Sequence, residues 1–133
     1  MPTKAVLALV LSLLAAPAVA QQPPCAPPLT PQLRIELYFG MGVHGRHPVS
    51  EREWARFVSH ELTHRFPGLT VLDARGAWRQ GQHEMREHSK QVVVVTEDGP
   101  ATRNAVAEVT EAYKQRFHQS SVGIVTQPVC AAF

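Results

Sequence analysis

The sequence has no block of one charge and no stripe of aromatic and basic residues. It contains 13 lysines and arginines and 11 aspartates and glutamates, which leaves a formal net charge of +2 at pH 7. Nucleic acids and anionic membranes attract proteins whose positive charge is clustered. Because the basic residues here are interspersed with acidic ones, we expect neither nucleic acid nor an anionic membrane as a partner.

The sequence also lacks an apolar run that is long enough to cross a bilayer. Its main apolar stretch, residues 5–14, follows Lys4 and leads to the small residues Ala18-Val19-Ala20. A basic start, a short apolar stretch and a small-x-small ending are typical of a secretory signal peptide, here residues 1–20. We therefore expect cleavage after Ala20 and a protein that is exported, either periplasmic or secreted, with no membrane span after cleavage.

Cysteine is scarce: the chain has 2 cysteines, and they form no Cys-x-x-Cys motif. Cys25 and Cys130 lie near the two ends of the expected mature chain. In an oxidising compartment an even number of cysteines favours a disulfide bond, with free thiols or metal ligation as the alternatives. We predict a disulfide between Cys25 and Cys130 that joins the ends of a small domain and has no redox role.

The mature chain is long enough for one domain and contains no internal repeats. A proline-rich leader, residues 21–32, is expected to be extended. The rest, residues 33–133, is predicted to form a single α+β domain. Its hydrophobic periodicity follows the order strand, helix, strand, strand, helix, strand.

Three local patterns support this order. Apolar and polar residues alternate over 33–39, which is typical of a half-buried strand. A capping box, Ser50 with Glu53, begins the first helix. The valine run at 92–95 has no polar side, so we expect the third strand in the centre of the sheet. The apolar face of the first helix is predicted to consist of Trp54, Phe57, Val58 and Leu62.

With right-handed crossovers, this order gives a four-stranded antiparallel sheet with both helices on one face, the ferredoxin-like βαββαβ fold. Strands one and three then lie in the centre, and strand four lies beside strand one. This arrangement brings Cys130 close to the segment that holds Cys25. The open face of the sheet, which carries Glu36 and Tyr38, offers a surface for a ligand or a homodimer, although an ordinary solvated face is the simpler interpretation.

One motif suggests catalysis. His60, Glu61 and His64 match the His-Glu-x-x-His pattern of zinc-dependent hydrolases, in which two imidazoles bind the metal and the glutamate activates water. On the predicted helix, however, these residues flank the apolar face, the helix must end by Pro67, and a third ligand would have to come from the other helix. We therefore favour a solvated helix flank with no metal or other cofactor, and keep the zinc-dependent hydrolase as the alternative.

A specific combination of short segments runs through the mature chain. The segments are Leu37-Tyr38-Phe39-Gly40, Trp54-x-x-Phe57, Thr63-x-Arg65-Phe66-Pro67-Gly68-Leu69-Thr70-Val71, Asp73-x-x-Gly76-x-Trp78, Glu87-x-Ser89-Lys90 and Tyr113-x-x-x-Phe117-x-Gln119-x-Ser121-Val122. In this combination the chain resembles a family of small exported bacterial proteins, the domain of unknown function 3574 family. That family usually has proline at the position of His64, and the resemblance implies no catalytic residues.

The resemblance highlights polar residues that lie among apolar ones. We favour a structural network in which Arg65 pairs with Asp73 or Glu87, and a binding pocket lined by the set is the alternative. The resemblance thus implies a protein of unknown biochemical function. We interpret it as a non-catalytic module that binds a small molecule or a protein partner. The highlighted residues are Arg65, Asp73, Glu87, Lys90 and Gln119.

Overall fold

A computed structural model describes residues 24–42 and 47–133. The predicted signal peptide and residues 21–23 of the predicted leader lie outside this part of the chain. The described residues follow the element order that the periodicity predicts. The strands are β1 (Thr30–Gly40), β2 (Thr70–Gln80), β3 (His83–Thr96) and β4 (Gly123–Ala131).

These strands form one 4-stranded antiparallel sheet in the order β2-β3-β1-β4. The predicted ferredoxin-like topology is therefore confirmed, with β1 and β3 in the centre and β4 beside β1. The valine run explains the central place of β3, because Val92 and Val94 are fully buried on the helix side while Val93 and Val95 are half-buried on the other.

β1 begins at Thr30, earlier than the alternating pattern predicted. Thr30 pairs with Ala131 and Pro31 with Cys130, so the end of the predicted leader belongs to the sheet. Pro31 lies beyond the end of β3, where β1 has a partner on one side only and a missing N–H is tolerated. A disulfide joins Cys25 to Cys130, whose Cα atoms are 5.6 Å apart, and so ties the chain ahead of β1 to the end of β4.

The N-terminal helix is continuous but has three segments: α1 (Glu51–Phe57), a π-helical turn (Val58–Leu62) and α2 (Thr63–Arg65). The predicted capping box is present at its start. The backbone N–H of Glu53 donates to the Ser50 hydroxyl at 3.3 Å, and the backbone N–H of Ser50 donates to the Glu53 carboxylate at 2.8 Å.

The π-helical turn modifies the predicted apolar face of this helix. Phe57 and Leu62 are both fully buried, although five positions separate them. At about 3.6 residues per turn, a regular α-helix would point two such side chains in different directions. The extra residue of the π turn brings them into register again. Trp54 joins them in the core, whereas Val58 is only partly buried.

The other helix, α3 (Pro100–Phe117), begins after Gly99 with a proline in its first turn, where the missing N–H is tolerated. Its buried aromatic residues meet those of β1 and the N-terminal helix in one cluster, with ring centroids 4.7–6.2 Å apart. Both helices therefore pack against the same face of the sheet. The ring cluster contains Phe39, Trp54, Phe57, Tyr113 and Phe117.

The β2–β3 hairpin is longer than the rest of the sheet. β1 stops pairing with β3 at Gly40, opposite Ser89, whereas β2 and β3 continue to pair as far as Gln80 and His83. Residues 75–88 therefore form a two-stranded hairpin arm beyond the end of β1. The φ angle of 61° at Gly81 allows the tight turn at its tip.

Candidate functional site

A cavity of about 640 Å³ opens where the hairpin arm meets the end of β1. It lies on the open face of the sheet, since Tyr38 and Gly40 alternate along β1 with the buried Leu37 and Phe39. The loop between α3 and β4 forms its remaining wall. We call it the open-face cavity. Its lining consists of Tyr38, Gly40, Gly42, Trp78, Met85, Arg86, Glu87, Gln119, Ser120, Ser121 and Gly123.

The Glu87 carboxylate lies against the end of β1, where two glycines leave room for it. A Cβ atom at Gly40 would be 2.8 Å from Oε1 of Glu87, and a Cβ at Gly42 would be 2.9 Å from Oε2. Atoms at these separations would overlap, so any side chain here would displace the carboxylate. Because Gly40 and Gly42 have no side chain, the acidic side chain of Glu87 can pack directly against the backbone at these two positions.

The polar groups beside Glu87 donate their hydrogen bonds to the backbone instead. The Tyr113 hydroxyl donates to the carbonyl of Gly40 at 2.8 Å, and the Gln119 amide donates to the carbonyl of Gly42. Burial, and then the negative charge of Glu87, raise the pKa of Tyr113 well above its usual value. Within residues 24–42 and 47–133, Glu87 itself has no hydrogen bond or salt bridge, although it is half-buried.

Tyr38 contributes its ring to the cavity, while its hydroxyl belongs to a neighbouring network. The hydroxyl donates to Glu36 at 2.6 Å, and Arg34 and Gln91 donate to the same carboxylate at 2.8 Å and 2.9 Å. The hydrogen bond from Tyr38, followed by that from Arg34, lowers the pKa of Glu36. The same bond raises the pKa of Tyr38. Glu36 thus holds the tyrosine at the rim of the cavity.

The polar residues highlighted in the sequence do not form one cluster. Glu87 and Gln119 line the open-face cavity, whereas Lys90 lies opposite Phe39 and so faces the helices. The Lys90 ammonium binds the carboxylate of Asp73 and, at 2.8 Å, that of Glu51. Burial opposes the charge of Lys90, which is only 6% exposed, but its hydrogen bonds to these carboxylates outweigh burial and raise its pKa.

Arg65 pairs with residues other than the two that were predicted. Its guanidinium donates to Glu61 at 2.8 Å and to Glu108 at 3.0 Å, and it makes no contact with Asp73 or Glu87 among its described ion pairs. The reason is topological: Arg65 ends α2, and the nearest acidic residues at that point belong to its own helix and to α3. This pairing joins the two helices, and it lies apart from the open-face cavity.

The His-Glu-x-x-His motif is placed differently from a zinc site. Both oxygens of Glu61 are occupied, since Oε2 binds Arg65 and Oε1 binds Arg116 at 2.9 Å. The π-helical turn spans His60 and Glu61 and changes their offset from His64. His64 uses its Nδ1 atom to bind the Ser59 carbonyl at 2.9 Å. Across the described ranges, no three His, Cys, Asp or Glu side chains are grouped to hold a metal ion.

Sequence reasoning missed several cavity residues. Trp78 lies opposite Met85 in the hairpin arm, but it is 44% exposed and lines the cavity. The sequence did contain a signal for them, because the segments that resemble the family together supply several residues of this cavity. These residues are Tyr38, Gly40, Trp78, Glu87, Gln119 and Ser121. Only the fold shows that these segments converge.

The helices in the described part of the chain include none that is long and apolar enough to cross a bilayer.

Residues 34–133 match the family described as "Protein of unknown function (DUF3574)". No curated protein matches the sequence. The fold, by contrast, is similar to that of several solved structures.

A phage SAM lyase in complex with S-methyl-5'-thioadenosine has a TM-score of 0.58 and 13% identity, and the match covers 77% of this chain and 90% of that one. CutA1 from Oryza sativa has a TM-score of 0.53 and 6% identity, with 79% and 85% covered. CutA from Synechococcus elongatus has a TM-score of 0.51 and 12% identity, with 75% and 80% covered. At these identities the likeness concerns the fold alone.

Proposed function

We propose that this chain, which belongs to the family described as protein of unknown function DUF3574, is an exported, non-catalytic module that binds a small molecule in the open-face cavity. The proposal is based on the geometry of the site. The observation that carries this proposal is the half-buried Glu87 carboxylate, which has no charged partner in the described residues. A charge that is partly removed from water is costly unless something pairs with it. A bound ligand would supply that partner.

The dimensions and lining of the cavity support a small molecule. Its volume of about 640 Å³ lies within the range of about 300–1,000 Å³ that is usual for ligand sites. The lining combines the rings of Tyr38 and Trp78 with several polar side chains, so it can contact both an apolar group and a polar group of one ligand. Tyr113 and Gln119 donate to backbone carbonyls, so they support the wall of the cavity rather than take part in proton transfer.

Export is part of the proposal. It is supported by the signal-peptide pattern of residues 1–20 and by the Cys25–Cys130 disulfide, because such bonds persist in oxidising compartments. N-terminal sequencing of the protein recovered from outside the cytoplasm should begin at Gln21. A mature chain that still starts at Met1 would contradict this part of the proposal and leave the cavity argument intact.

Ligand binding is tested by titrating the isotope-labelled, disulfide-bonded protein with a fragment set of cations, neutral molecules and anions. Trp78 should report binding through its indole N–H signal, while the indole of Trp54, only 4% exposed in the core, serves as the internal reference. Fragments that shift Trp78 together with Gly40 and Gly42 would support the proposal. If no class of fragment shifts these signals, the cavity is not a binding site.

A homodimer through the open face is the second candidate, and the exposed apolar residues on that face favour it. Leu72 lies opposite Gln91 and Val125 opposite Glu36, which places both beside Tyr38 on the uncovered side of the sheet. Light scattering after gel filtration measures the mass in solution directly. A dimer that dissociates in the Leu72→Glu variant, but not in a Leu29→Glu control at another exposed site, would support this candidate. A monomer at all concentrations would reject it.

A further inference from the structure

We propose, building on the small-molecule function above, that the ligand of the open-face cavity is a small organic cation with an apolar group. Its positive charge is bound by the Glu87 carboxylate, and its apolar part lies against Tyr38 and Trp78. The charge of the cavity, the chemistry of its rings and the number of its oxygen ligands each support this inference.

The charges that the described residues place in the cavity favour a cation. They contribute one carboxylate, Glu87, and one guanidinium, Arg86, to its lining. Arg86 already binds Glu84 at 2.5 Å, and its side chain is largely exposed to water. The charge of Arg86 is therefore balanced outside the cavity, whereas the charge of Glu87 is not balanced by any described residue. An anionic ligand would be repelled at this point, and a cation would be attracted.

Glu87 is also prepared to accept hydrogen bonds. The neighbouring donors, Tyr113 and Gln119, donate to the carbonyls of Gly40 and Gly42, and no described hydrogen bond joins either of them to the carboxylate. An ionised carboxylate offers several lone pairs, and bonds between charged partners are the stronger kind. The acceptor capacity of Glu87 is thus available to an ammonium or guanidinium group of a ligand.

The aromatic lining selects the same kind of ligand. Tyr38 and Trp78 are 37% and 44% exposed and line the same cavity, so their rings are accessible to a ligand. Aromatic faces attract organic cations, and tryptophan does so most strongly. The hydroxyl of Tyr38 is already bound to Glu36, so its ring is held in place at the rim.

A metal ion fits this site less well than an organic cation. Calcium takes about 6–8 oxygen ligands, and magnesium needs a near-octahedral set. Among the described residues, the lining of the open-face cavity offers one carboxylate, and its other side-chain oxygens belong to neutral groups beside two rings: the Tyr38 and serine hydroxyls and the Gln119 amide. One carboxylate with aromatic neighbours matches a cation whose charge is carried by an organic group.

The test compares three probes of nearly equal shape: choline, its neutral carbon isostere dimethylbutanol, and the anion dimethylbutanoate. Each is titrated into the disulfide-bonded protein while the Trp78 indole signal and the Gly40 and Gly42 amides are recorded. We expect choline to bind at least about tenfold more tightly than the neutral isostere, because its quaternary ammonium, which donates no hydrogen bond, is attracted by the Glu87 charge and by the aromatic faces. The anion should bind least.

Two matched variants assign the preference to its residue. Glu87→Gln keeps the shape of the side chain and removes its charge, so the preference for choline over its isostere should fall to the part that the aromatic rings contribute. Glu97→Gln removes the same charge from an exposed position after β3, and it should keep the preference. Trp78→Leu, at a position that is 44% exposed, should weaken choline binding more than isostere binding.

The results separate this inference from the proposed function. If the isostere or the anion shifts the cavity signals as strongly as choline, the organic-cation inference is wrong and the ligand site remains. If Glu87→Gln folds normally and keeps the full preference for choline, the inference is also wrong. If neither these probes nor the wider fragment set shifts the cavity signals, both the inference and the ligand site are rejected.

Discussion

The carboxylate of Glu87 lies on the α-carbon of Gly40, so closely that a methyl group on that carbon would come within 2.8 Å of Oε1. This contact joins the hairpin arm to the end of β1 and places an acidic group in the open-face cavity. The position of the carboxylate therefore depends directly on the size of the side chain at residue 40.

We predict that Gly40→Ala moves the Glu87 side chain without unfolding the protein. The atom that a new methyl group would meet is the far end of a flexible side chain, so the cost in stability should be below about 1 kcal/mol. Choline binding should fall, because the carboxylate no longer lies in its place. Gly68→Ala is the matched control, since a Cβ there meets nothing within 4 Å. Equal effects of the two substitutions on binding would contradict this role for Gly40.

Removal of the disulfide should destabilise the protein strongly. Cys25 and Cys130 are separated by 105 residues, and in the loop-entropy account a bond that closes a loop of this length contributes about 4–5 kcal/mol. The Cys25→Ser/Cys130→Ser variant is expected to lose most of this in urea unfolding. Adding a reductant to the unsubstituted protein should have the same effect, and it should not affect the double variant. A loss below about 1 kcal/mol would show that the ends of the chain are held by other contacts.

The hydrogen bond from Tyr38 should be visible in the titration of Glu36. This bond is the main cause of the lowered pKa of Glu36, so Tyr38→Phe is expected to raise that pKa towards its ordinary value of 4.5. A carboxylate with a depressed pKa in the folded state stabilises the protein above its unfolded pKa, and the contribution is lost as the pH falls through the folded value.

The stability difference between the Tyr38→Phe variant and the unsubstituted protein should therefore be present at neutral pH and disappear in acid. Side-chain carbon shifts of Glu36 give the pKa, and urea unfolding at several pH values gives the stability. A Glu36 pKa that is identical in the two proteins would show that Arg34 and Gln91 are sufficient to set it.

Glu61 is predicted to be a structural residue. It binds Arg65 and Arg116 and so connects the N-terminal helix to α3. Glu61→Gln should lower the free energy of unfolding by about 1 kcal/mol, because a partly buried carboxylate with two charged partners is lost. Glu111→Gln, in an exposed pair with Lys114, should cost less, because water screens that pair.

Metal analysis of the same proteins addresses the alternative role of Glu61. Zinc should be substoichiometric and independent of His60→Ala. Stoichiometric zinc that is lost in His60→Ala and in Glu61→Gln would instead establish the hydrolase-like site.

Local patterns were sufficient for most of the fold. The alternation of apolar and polar residues at 33–39 indicates a strand with one buried side, and the valine run at 92–95 indicates a central strand. Both strands are found where these patterns predicted them. The capping box of Ser50 and Glu53 is likewise a contact within one turn of chain. Such features need no knowledge of distant residues.

The failures share a physical cause. The start of β1 at Thr30 depends on pairing with Ala131 at the other end of the chain, and no alternation marks it. The π-helical turn arises because both Phe57 and Leu62 are buried by β1 and α3. Arg65 pairs with Glu108 for the same reason, since packing of the two helices decides which acidic residue it meets.

The amino-acid sequence by itself determined the order of the elements, their inward faces and the family resemblance, because these depend on neighbouring residues and on short segments. Only the tertiary structure decided that Glu87 lies on Gly40 and Gly42 beside Trp78, whereas Asp73 and Lys90 lie on the opposite face. The physical reason is that adjacent strands present alternate residues to opposite sides of the sheet. Neighbouring residues of one strand therefore face either the core or the cavity. Which of the two a residue faces depends on the register of the sheet, and this register is set by pairing with strands that are distant in the sequence.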